Sequence, residues 1–414
     1  MITSKTPQTK NDLTDDVPAL IDGTDKTVEE RPPSESTSEK TATQHPSANL
    51  QRLFHWLKAH GAKMPGIEIR TRDGMRGVYA RYRIVRGAVV MYLPRCLHMT
   101  SREAKTVPLV KQLQAANLSM DDQNLIALLL IHTRRHGGFW QPYVESLPQG
   151  IEDYSGVPMF FPKSEFALLK GTMVHRITTE RWNLIKHEYR DIRARLSKAE
   201  RFGFREFLWA QATVASRSYG QKVDGVDTSG LVPLADFFNH AFDDDVTRSH
   251  RADALSDSME YTHGFYVTTL RQIGAWKEIR INYGALSNSR LLTFYGFCLD
   301  ENPYDEADAW LPFVDPSNPY LILVRDMGDH RGFSRYFLIN KSSVSPKTQQ
   351  LFSFLRLSCL PKATERPSVQ EVKNIKDKHQ RIPPLSQENE TAVLRQLVAI
   401  SSVRRFSSPP IITL

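Results

Sequence analysis

The sequence predicts an α+β fold in which short strands flank a long helical segment and further helices follow. Strand-like stretches bounded by turn residues occur early in the chain and again between residues 261 and 282. Between them, from residue 100 to residue 207, the apolar residues are mostly spaced as in helices. The chain has 414 residues, of which 40% are hydrophobic, so it can bury a large core in two packed units.

The first 48 residues are rich in Ser, Thr, Pro, Asp and Glu and show no hydrophobic period, so we expect a disordered acidic tail over 1–48. This stretch holds five Lys or Arg and nine Asp or Glu, a charge of −4. Because the whole chain carries +8, residues 49–414 carry +12.

We expect no targeting signal from the sequence. Met1 opens no apolar signal region, and no apolar run approaches the roughly 18 residues that span a bilayer. The three cysteines, Cys96, Cys298 and Cys359, are too far apart for a disulfide framework or a zinc motif. We therefore expect no membrane contact and a cytoplasmic or nuclear location, with an organelle left open.

The first elements are a helix and three short strands. Residues 50–60 place Leu53, Trp56 and Leu57 on one helical face, and Gly61 ends that helix. Strands are expected at 67–70, 77–80 and 88–93, separated by turn residues.

The middle of the chain is predicted to be helical. Asp121 caps a helix over 124–136 that Gly137 and Gly138 end, and further helices are expected at 180–196 and 206–216. His132 and His136 lie one turn apart, but no acidic partner lies between them, so we assign them to a solvated helix end and expect no metal site.

The last third contains strands and then helices. We expect strands at 261–270 and 278–282 and a helix at 287–295. Asn302-Pro303 marks a boundary, and the chain beyond residue 305 is predicted to be helical, with a clear helix at 389–401.

Two segments carry polar groups in places that packing alone does not explain. Residues 231–242 (LVPLADFFNHAF) place Asp236, Asn239 and His240 in an apolar stretch, which is costly unless they are hydrogen-bonded or functional. Residues 278–299 run from a strand through Tyr283 into a helix that ends at Tyr295. Nucleotide-binding, zinc-protease and serine-hydrolase motifs are missing.

These two segments resemble SET-domain methyltransferases, specifically the class named for the Rubisco large-subunit lysine methyltransferase. Four further segments agree in the same order: GMRGVYARYRIVRG from residue 74, FWQPYVESLP from residue 139, ASRSY from residue 215 and, less clearly, ENETAVLRQL from residue 388. The resemblance implies small curved β-sheets with pseudoknot-like threading in a SET domain over 49–304. It also implies a helical insertion at about 101–205 and a shortened helical substrate-binding domain over 305–414.

The resemblance also implies an activity, which is methyl transfer from S-adenosylmethionine to a lysine of a non-histone protein by a monomer. Tyr283 is the catalytic candidate and also borders the substrate, together with Tyr219 and Asp236. Cofactor contacts are assigned to seven positions: Gly74, Met75, Arg76, Arg217, Asn239, His240 and Tyr295.

Two alternatives stay open beside lysine methylation. One branch of the class methylates a histidine in actin and carries an asparagine two residues after the cofactor arginine, where this chain has Tyr219. An aromatic wall suits a lysine stem, so lysine is favoured. The other alternative is a non-catalytic SET-like binding module. Nucleic-acid binding is not expected, because the basic residues form no compact patch in the sequence.

Departures from the class pattern occur next to the last strand. Trp276 stands where a glycine is usual, and Arg280 stands where an apolar residue is usual. We expect both residues to change the shape of the substrate channel.

Overall fold

The structure is a computed structural model. It describes residues 48–72, 74–223, 226–242, 246–249, 264–310, 336–340, 346–360, 368, 370–371, 373–374 and 382–405. The acidic tail expected at the N-terminus lies outside the described residues, apart from Ala48.

The chain begins with a helix and a hairpin, as the sequence predicts. Helix α1 (Ala48–Ala59) packs its buried face, which includes Leu53 and Leu57, on the main core. Strand β1 (Ile67–Arg72) then pairs antiparallel with β2 (Met75–Ala80). Gly74, with φ +76°, provides the left-handed backbone that this tight connection needs.

Two three-stranded antiparallel sheets form the rest of the β-structure in the SET-like part. The first has the order β3-β8-β7, and the second has the order β4-β6-β5. Their strands are β3 (Val89–Pro94), β4 (Met99–Thr100), β5 (Ser218–Val223), β6 (Val226–Leu231), β7 (Val246–Ser249) and β8 (Gly264–Thr269).

The predicted helical insertion separates β4 from β5 along the chain. Its helices are α2 (Ser101–Ala104), α3 (Pro108–Ala115), α4 (Asp122–His136), α5 (Gln141–Val144), α6 (Lys163–Leu168), α7 (Met173–Arg195) and α8 (Phe204–Arg217). The caps read from the sequence are confirmed: the Asp121 side chain accepts from the Asn124 amide at 2.8 Å, and Gly137 ends α4 with φ +73°. The apolar side of α4 is fully buried and packs against α8.

The strand predicted at 278–282 is wrong as a continuous strand. Its backbone bonds first to β2, where the Ile279 amide donates to Val78 at 2.7 Å. It then changes partner, since the Ile281 amide donates to Asn239 at 2.9 Å and the Ala241 amide donates back to Ile281 at 3.0 Å. Each of these two pairings is short, so only isolated bridges form. The pairing with Asn239 nevertheless brings residues 231–242 and 278–299 side by side.

The region after residue 305 is not helical throughout, which corrects the sequence prediction. After α9 (Asn288–Tyr295), strand β9 (Glu306–Trp310) pairs antiparallel with β10 (Tyr336–Asn340). The β9 sequence EADAW has weak strand propensity, so its pairing with YFLIN decides its conformation.

Two helices complete the described C-terminal region. Helices α10 (Pro346–Ser358) and α11 (Gln387–Arg405) pack together around a small apolar cluster of their own. Arg356 fixes this pair, because its guanidinium binds both Glu390 oxygens at 2.6 and 2.9 Å. Among the described residues, no helix has the length and apolar character needed to cross a membrane.

Candidate active site

A cavity of about 360 Å³ opens where α8 runs into β5. Five of the residues that the resemblance assigns to the site line it: Arg217, Tyr219, Asp236, Tyr283 and Tyr295. Ser216, Ser218 and Gly220 complete the lining. Residues that are up to 79 positions apart in the sequence therefore meet around one space.

Arg217 and Asp236 form a buried ion pair at the wall of this cavity. Arg217 Nη1 donates to Asp236 Oδ2 at 3.0 Å and to the Asp236 carbonyl at 3.2 Å. The Asp236 side chain is 0% exposed and the Arg217 side chain 19% exposed. Asp236, expected beside the amine channel, thus turns one carboxylate oxygen onto the arginine.

The electrostatics of this pair include a third charge. Burial lowers the pKa of the Arg217 guanidinium, but the Asp236 carboxylate together with Tyr154 and Tyr143 outweighs burial, and the pKa is raised overall. Burial raises the pKa of Asp236, against the opposing effect of Arg217 and Arg76. Burial, and then Arg217, lowers the pKa of Arg76. Two guanidinium groups thus share one carboxylate, which leaves an excess of positive charge beside the cavity.

The backbone before Asp236 holds it in place. Leu234 adopts φ +70°, which costs a branched residue about 1–2 kcal/mol. Its fully buried side chain offsets this strain, and a 3₁₀ turn over Ala235–Phe237 follows at once. The turn points Asp236 inward, while Phe237 accepts the Arg76 guanidinium on its ring face at 3.6 Å.

Tyr283 is held by three hydrogen bonds in its immediate surroundings. Asn282 Oδ1 accepts from the Gly284 amide at 2.8 Å and closes the turn on which Tyr283 stands. The Tyr283 amide donates to His240 Nδ1 at 3.1 Å, so His240 is the tautomer protonated on Nε2. The Tyr283 hydroxyl donates to the Phe238 carbonyl at 2.8 Å. With its proton used in this way, the phenol oxygen can act only as an acceptor toward a bound group.

Aromatic rings form one side of the cavity. Tyr295, the last residue of α9, lies 4.9 Å from Tyr283 between ring centroids, and His240 lies 5.0 Å from Tyr283. Gly296, with φ +82°, ends α9 as the sequence predicts and fixes where Tyr295 stands. Such faces attract cations.

Tyr219 forms another wall. It is 8% exposed, and its hydroxyl donates to the Ala235 carbonyl at 2.7 Å. Its ring meets Phe265 edge to face at 5.2 Å. Tyr219 thus presents ring surface to the cavity.

Asn239 connects the hairpin to the cavity. Its amide group donates to the Arg76 carbonyl at 3.0 Å and to Glu278 Oε1 at 2.7 Å. Gly77 makes this approach possible, because a Cβ there would lie 3.0 Å from Asn239 Nδ2 and would collide with the Glu278 carboxylate. Gly74 and Met75, also assigned to the cofactor, lie at the exposed turn of the hairpin, where Met75 is 68% exposed.

Tyr143 is a site residue that the sequence analysis did not identify. It belongs to the FWQPYVESLP segment and is fully buried beside Asp236. Burial raises the pKa of Tyr143 well above its ordinary value, and the Asp236 carboxylate adds to this rise. The position of Tyr143 in a segment that resembles the family was the available signal. Its contact with Asp236 could not be predicted, because the two residues are far apart in the sequence.

A polar atom left over at this site fits S-adenosylmethionine. Arg217 Nε is buried and has no hydrogen-bond partner within the described parts of the chain, while the Asp236 carboxylate has the Tyr143 hydroxyl beside it. A guanidinium donor suits the carboxylate of the cofactor. For a metal ion the described residues offer no cluster of three or more potential ligands.

Known structures share this architecture. The SET domain of LSMT bound to lysine and AdoHcy superimposes with a TM-score of 0.70 at 18% identity, over 87% of this chain and 82% of that one. Rubisco LSMT bound to AdoMet gives 0.61 at 17% identity, over 88% and 93%. The chain has the SET fold. The α+β SET fold expected from the sequence is therefore confirmed.

Curated relatives of this SET-fold chain agree with that assignment, although no protein-family model matches it. SET domain-containing protein 4 of Artemia parthenogenetica is 25% identical over 294 residues, 67% of this chain and 70% of the relative. The actin-histidine N-methyltransferase of Mus musculus is 26% identical over 329 residues, 74% of this chain. A ribosomal lysine N-methyltransferase of Schizosaccharomyces pombe is 27% identical over 170 residues, 40% of this chain. The chain spans about half the length of the actin-histidine enzymes and 29% of the yeast enzyme.

Proposed function

We propose that this SET-fold chain is an S-adenosylmethionine-dependent protein N-methyltransferase that methylates a lysine side chain. The observation that carries the proposal is the single cavity in which a cationic anchor, Arg217, faces a restrained tyrosine oxygen, that of Tyr283. Relatives named as lysine and histidine methyltransferases support the reaction class.

The reaction is a displacement at carbon in which a neutral amine attacks. When bound, S-adenosylmethionine supplies a methyl group made electrophilic by its sulfonium. The protein therefore has little charge to create, and its task is alignment and exclusion of water. Arg217, fixed by Asp236, anchors the carboxylate of the cofactor, and Asn239 ties the hairpin against the same site.

Tyr283 orients the incoming amine. Because its own proton is donated to the Phe238 carbonyl, the phenol oxygen accepts an N–H of the amine and points the nitrogen lone pair away from itself. The aromatic surfaces of Tyr295 and Tyr219 border the lysine stem and keep water out. Burial in such a channel lowers the pKa of the substrate lysine and so favours its neutral, nucleophilic form.

Lysine is preferred over histidine because of Tyr219. Its hydroxyl proton is already donated to Ala235, so it cannot donate to an imidazole nitrogen in the cavity. What it presents is an aromatic wall, which suits an aliphatic stem that ends in an amine. Histidine methylation is the second candidate, favoured by the actin-histidine relatives.

The partner is a protein. We propose a non-histone substrate and a monomeric enzyme, with residues 305–414 as the domain that helps to dock the substrate. All three cysteines are unpaired, which suits a reducing compartment, so we propose the cytoplasm or nucleus.

Calorimetric titration with S-adenosylmethionine tests the proposal first. We expect saturable binding by the wild type and a loss of at least tenfold in affinity for Arg217→Ala. Lys186→Ala, which removes an exposed cation from α7, is the matched control and should bind normally. Absence of heat and of a thermal shift with the wild type would remove the enzyme interpretation and leave a binding module.

A further inference from the structure

A second cavity, of about 580 Å³, shares no lining residue with the active-site cavity. On β2, Arg76 lies over the Phe237 ring, whereas a Cβ on Gly77 would point toward Glu278 and Asn239. Glu278 lines the second cavity with Arg72, Tyr79, Gln272 and the residues that follow Gln272. Trp276 and Arg280, which the sequence analysis expected to change the shape of the substrate channel, line this second cavity and not the active-site cavity.

Three segments build this cavity and its rim. They are β1, residues 81–86, which follow it closely, and the distant residues 270–280. The Ile84 amide donates to Ile273 at 2.9 Å, the Ala80 amide donates to Lys277 at 2.9 Å, and Arg83 binds Gln272 Oε1 at 2.6 Å. Together the segments carry eight arginine or lysine residues against two carboxylates, Glu68 and Glu278.

Both carboxylates are already engaged. Glu68 lies against Arg70 and 4.0 Å from Arg81, and Glu278 accepts from Asn239 at 2.7 Å. The three segments thus carry six more positive than negative charges, and their cations other than Arg70 lie in exposed positions. We call the surface formed by Arg72, Gln272, Trp276, Lys277 and Arg280 the basic groove.

Trp276 is the unusual residue of the basic groove. It is 51% exposed, and its backbone has φ +63°, a region that bulky residues avoid. The Arg70 guanidinium lies 4.5 Å from its ring centroid. Neither packing nor backbone preference accounts for an exposed tryptophan here, and strained residues of this kind cluster at functional sites.

We propose that the basic groove binds single-stranded nucleic acid. A positively charged groove tracks the phosphate backbone, and an exposed aromatic ring beside arginine planes stacks a base. An acidic peptide would complement the positive charge of the groove but would not supply a base to stack on the Trp276 ring. The sequence did not show this surface because residues 270–280, which supply three of the cations, are distant along the chain from the other two segments. This function does not depend on methyl transfer.

Fluorescence anisotropy with the full chain and a labelled oligouridine of about 20 nucleotides tests the proposal, since that length exceeds common single-strand site sizes. Oligothymidine of equal length distinguishes RNA from DNA, and either ligand supports the groove. We expect affinity to fall steeply with salt. A triple variant, Arg72→Ser with Lys277→Ser and Arg280→Ser, should bind at least tenfold more weakly and lower the slope of log affinity against log salt by about 2.

Two controls separate this groove from general positive charge and from misfolding. Lys186→Ser with Arg190→Ser and Lys198→Ser removes three exposed cations from α7 and the turn after it, and it should leave affinity within twofold. Trp276→Gly places glycine where φ is +63°, so it relieves strain while removing the ring. We expect this variant to fold as stably as the wild type and to lose at least fivefold in affinity.

Three results would overturn the proposal. The first is no binding of either oligonucleotide at low salt. The second is an equal loss of affinity in the two triple variants. The third is a polyglutamate peptide that binds as tightly as the oligonucleotides, together with unchanged binding by Trp276→Gly, which would assign the groove to acidic proteins.

Discussion

Arg217 Nη1 and Asp236 Oδ2 lie 3.0 Å apart in a pair that is almost fully withdrawn from solvent. Asp236→Asn should lower the free energy of unfolding by about 3–5 kcal/mol, because it leaves a buried guanidinium without its counter-charge. Chemical denaturation measures this. Asp191→Asn breaks half-exposed pairs on α7 and should cost under about 1 kcal/mol. Equal losses in the two variants would mean that the buried pair is not important for stability.

The Tyr283 hydroxyl should matter for the reaction and little for cofactor binding. Tyr283→Phe removes the oxygen that orients the amine and keeps the ring beside His240 and Tyr295. We expect the single-turnover rate of methyl transfer to fall about 100-fold, because a misplacement of the amine by about 1 Å can cost a factor of this size. Calorimetric affinity for S-adenosylmethionine should stay within a few-fold.

A matched control for that variant is Tyr304→Phe. Tyr304 is 37% exposed and lies outside the lining of the cavity. Its hydroxyl should be dispensable for both rate and binding. A similar drop of rate and cofactor affinity in Tyr283→Phe would instead make Tyr283 a structural residue.

Tyr219 should set the choice between lysine and histidine. Tyr219→Asn replaces the aromatic wall with an amide that can bond to an imidazole nitrogen, so the ratio of lysine to histidine methylation should fall. Mass spectrometry of labelled peptides gives this ratio. Tyr219→Phe keeps the wall, loses only the bond to Ala235, and should retain lysine methylation. A ratio that is the same in both variants would refute the role given to the wall.

Gly77 should tolerate no side chain. Its Cβ would meet Asn239 Nδ2 at 3.0 Å and collide with Glu278, so Gly77→Ala should cost about 1–3 kcal/mol of unfolding free energy and weaken cofactor binding. Gly203→Ala has open space around it and should cost under about 1 kcal/mol. Thermal denaturation with and without S-adenosylmethionine measures both effects. Unchanged stability in Gly77→Ala would show that the Asn239 contact can relax.

Local structure in this chain could be predicted where one residue decides it. Asp121, Gly137 and Gly296 mark helix ends in the sequence, and the structure places the ends there. The fold class followed from family motifs in a fixed order. Strand β9 could not be predicted, because its conformation depends on β10, which lies some 25 residues further along the chain.

Several residues that line the cavity could be named from the sequence, but the hydrogen bonds between them could not. Five of the eight residues that line the cavity were named from the sequence, yet the bond of Asp236 to Arg217 depends on how α8, β5 and the turn after Leu234 meet. Tyr143 was missed for the same reason. The basic groove was missed because charge density on a surface depends on which segments become neighbours.

Labelled S-adenosylmethionine, incubated with the chain and a host-cell extract, gives the most direct test of the proposed function. The modified residue is then mapped by mass spectrometry. We expect label on a lysine of a non-histone protein, and its loss with Tyr283→Phe. Label on histidine alone, or no transferred label despite calorimetric binding of the cofactor, would contradict the proposed lysine methyltransferase.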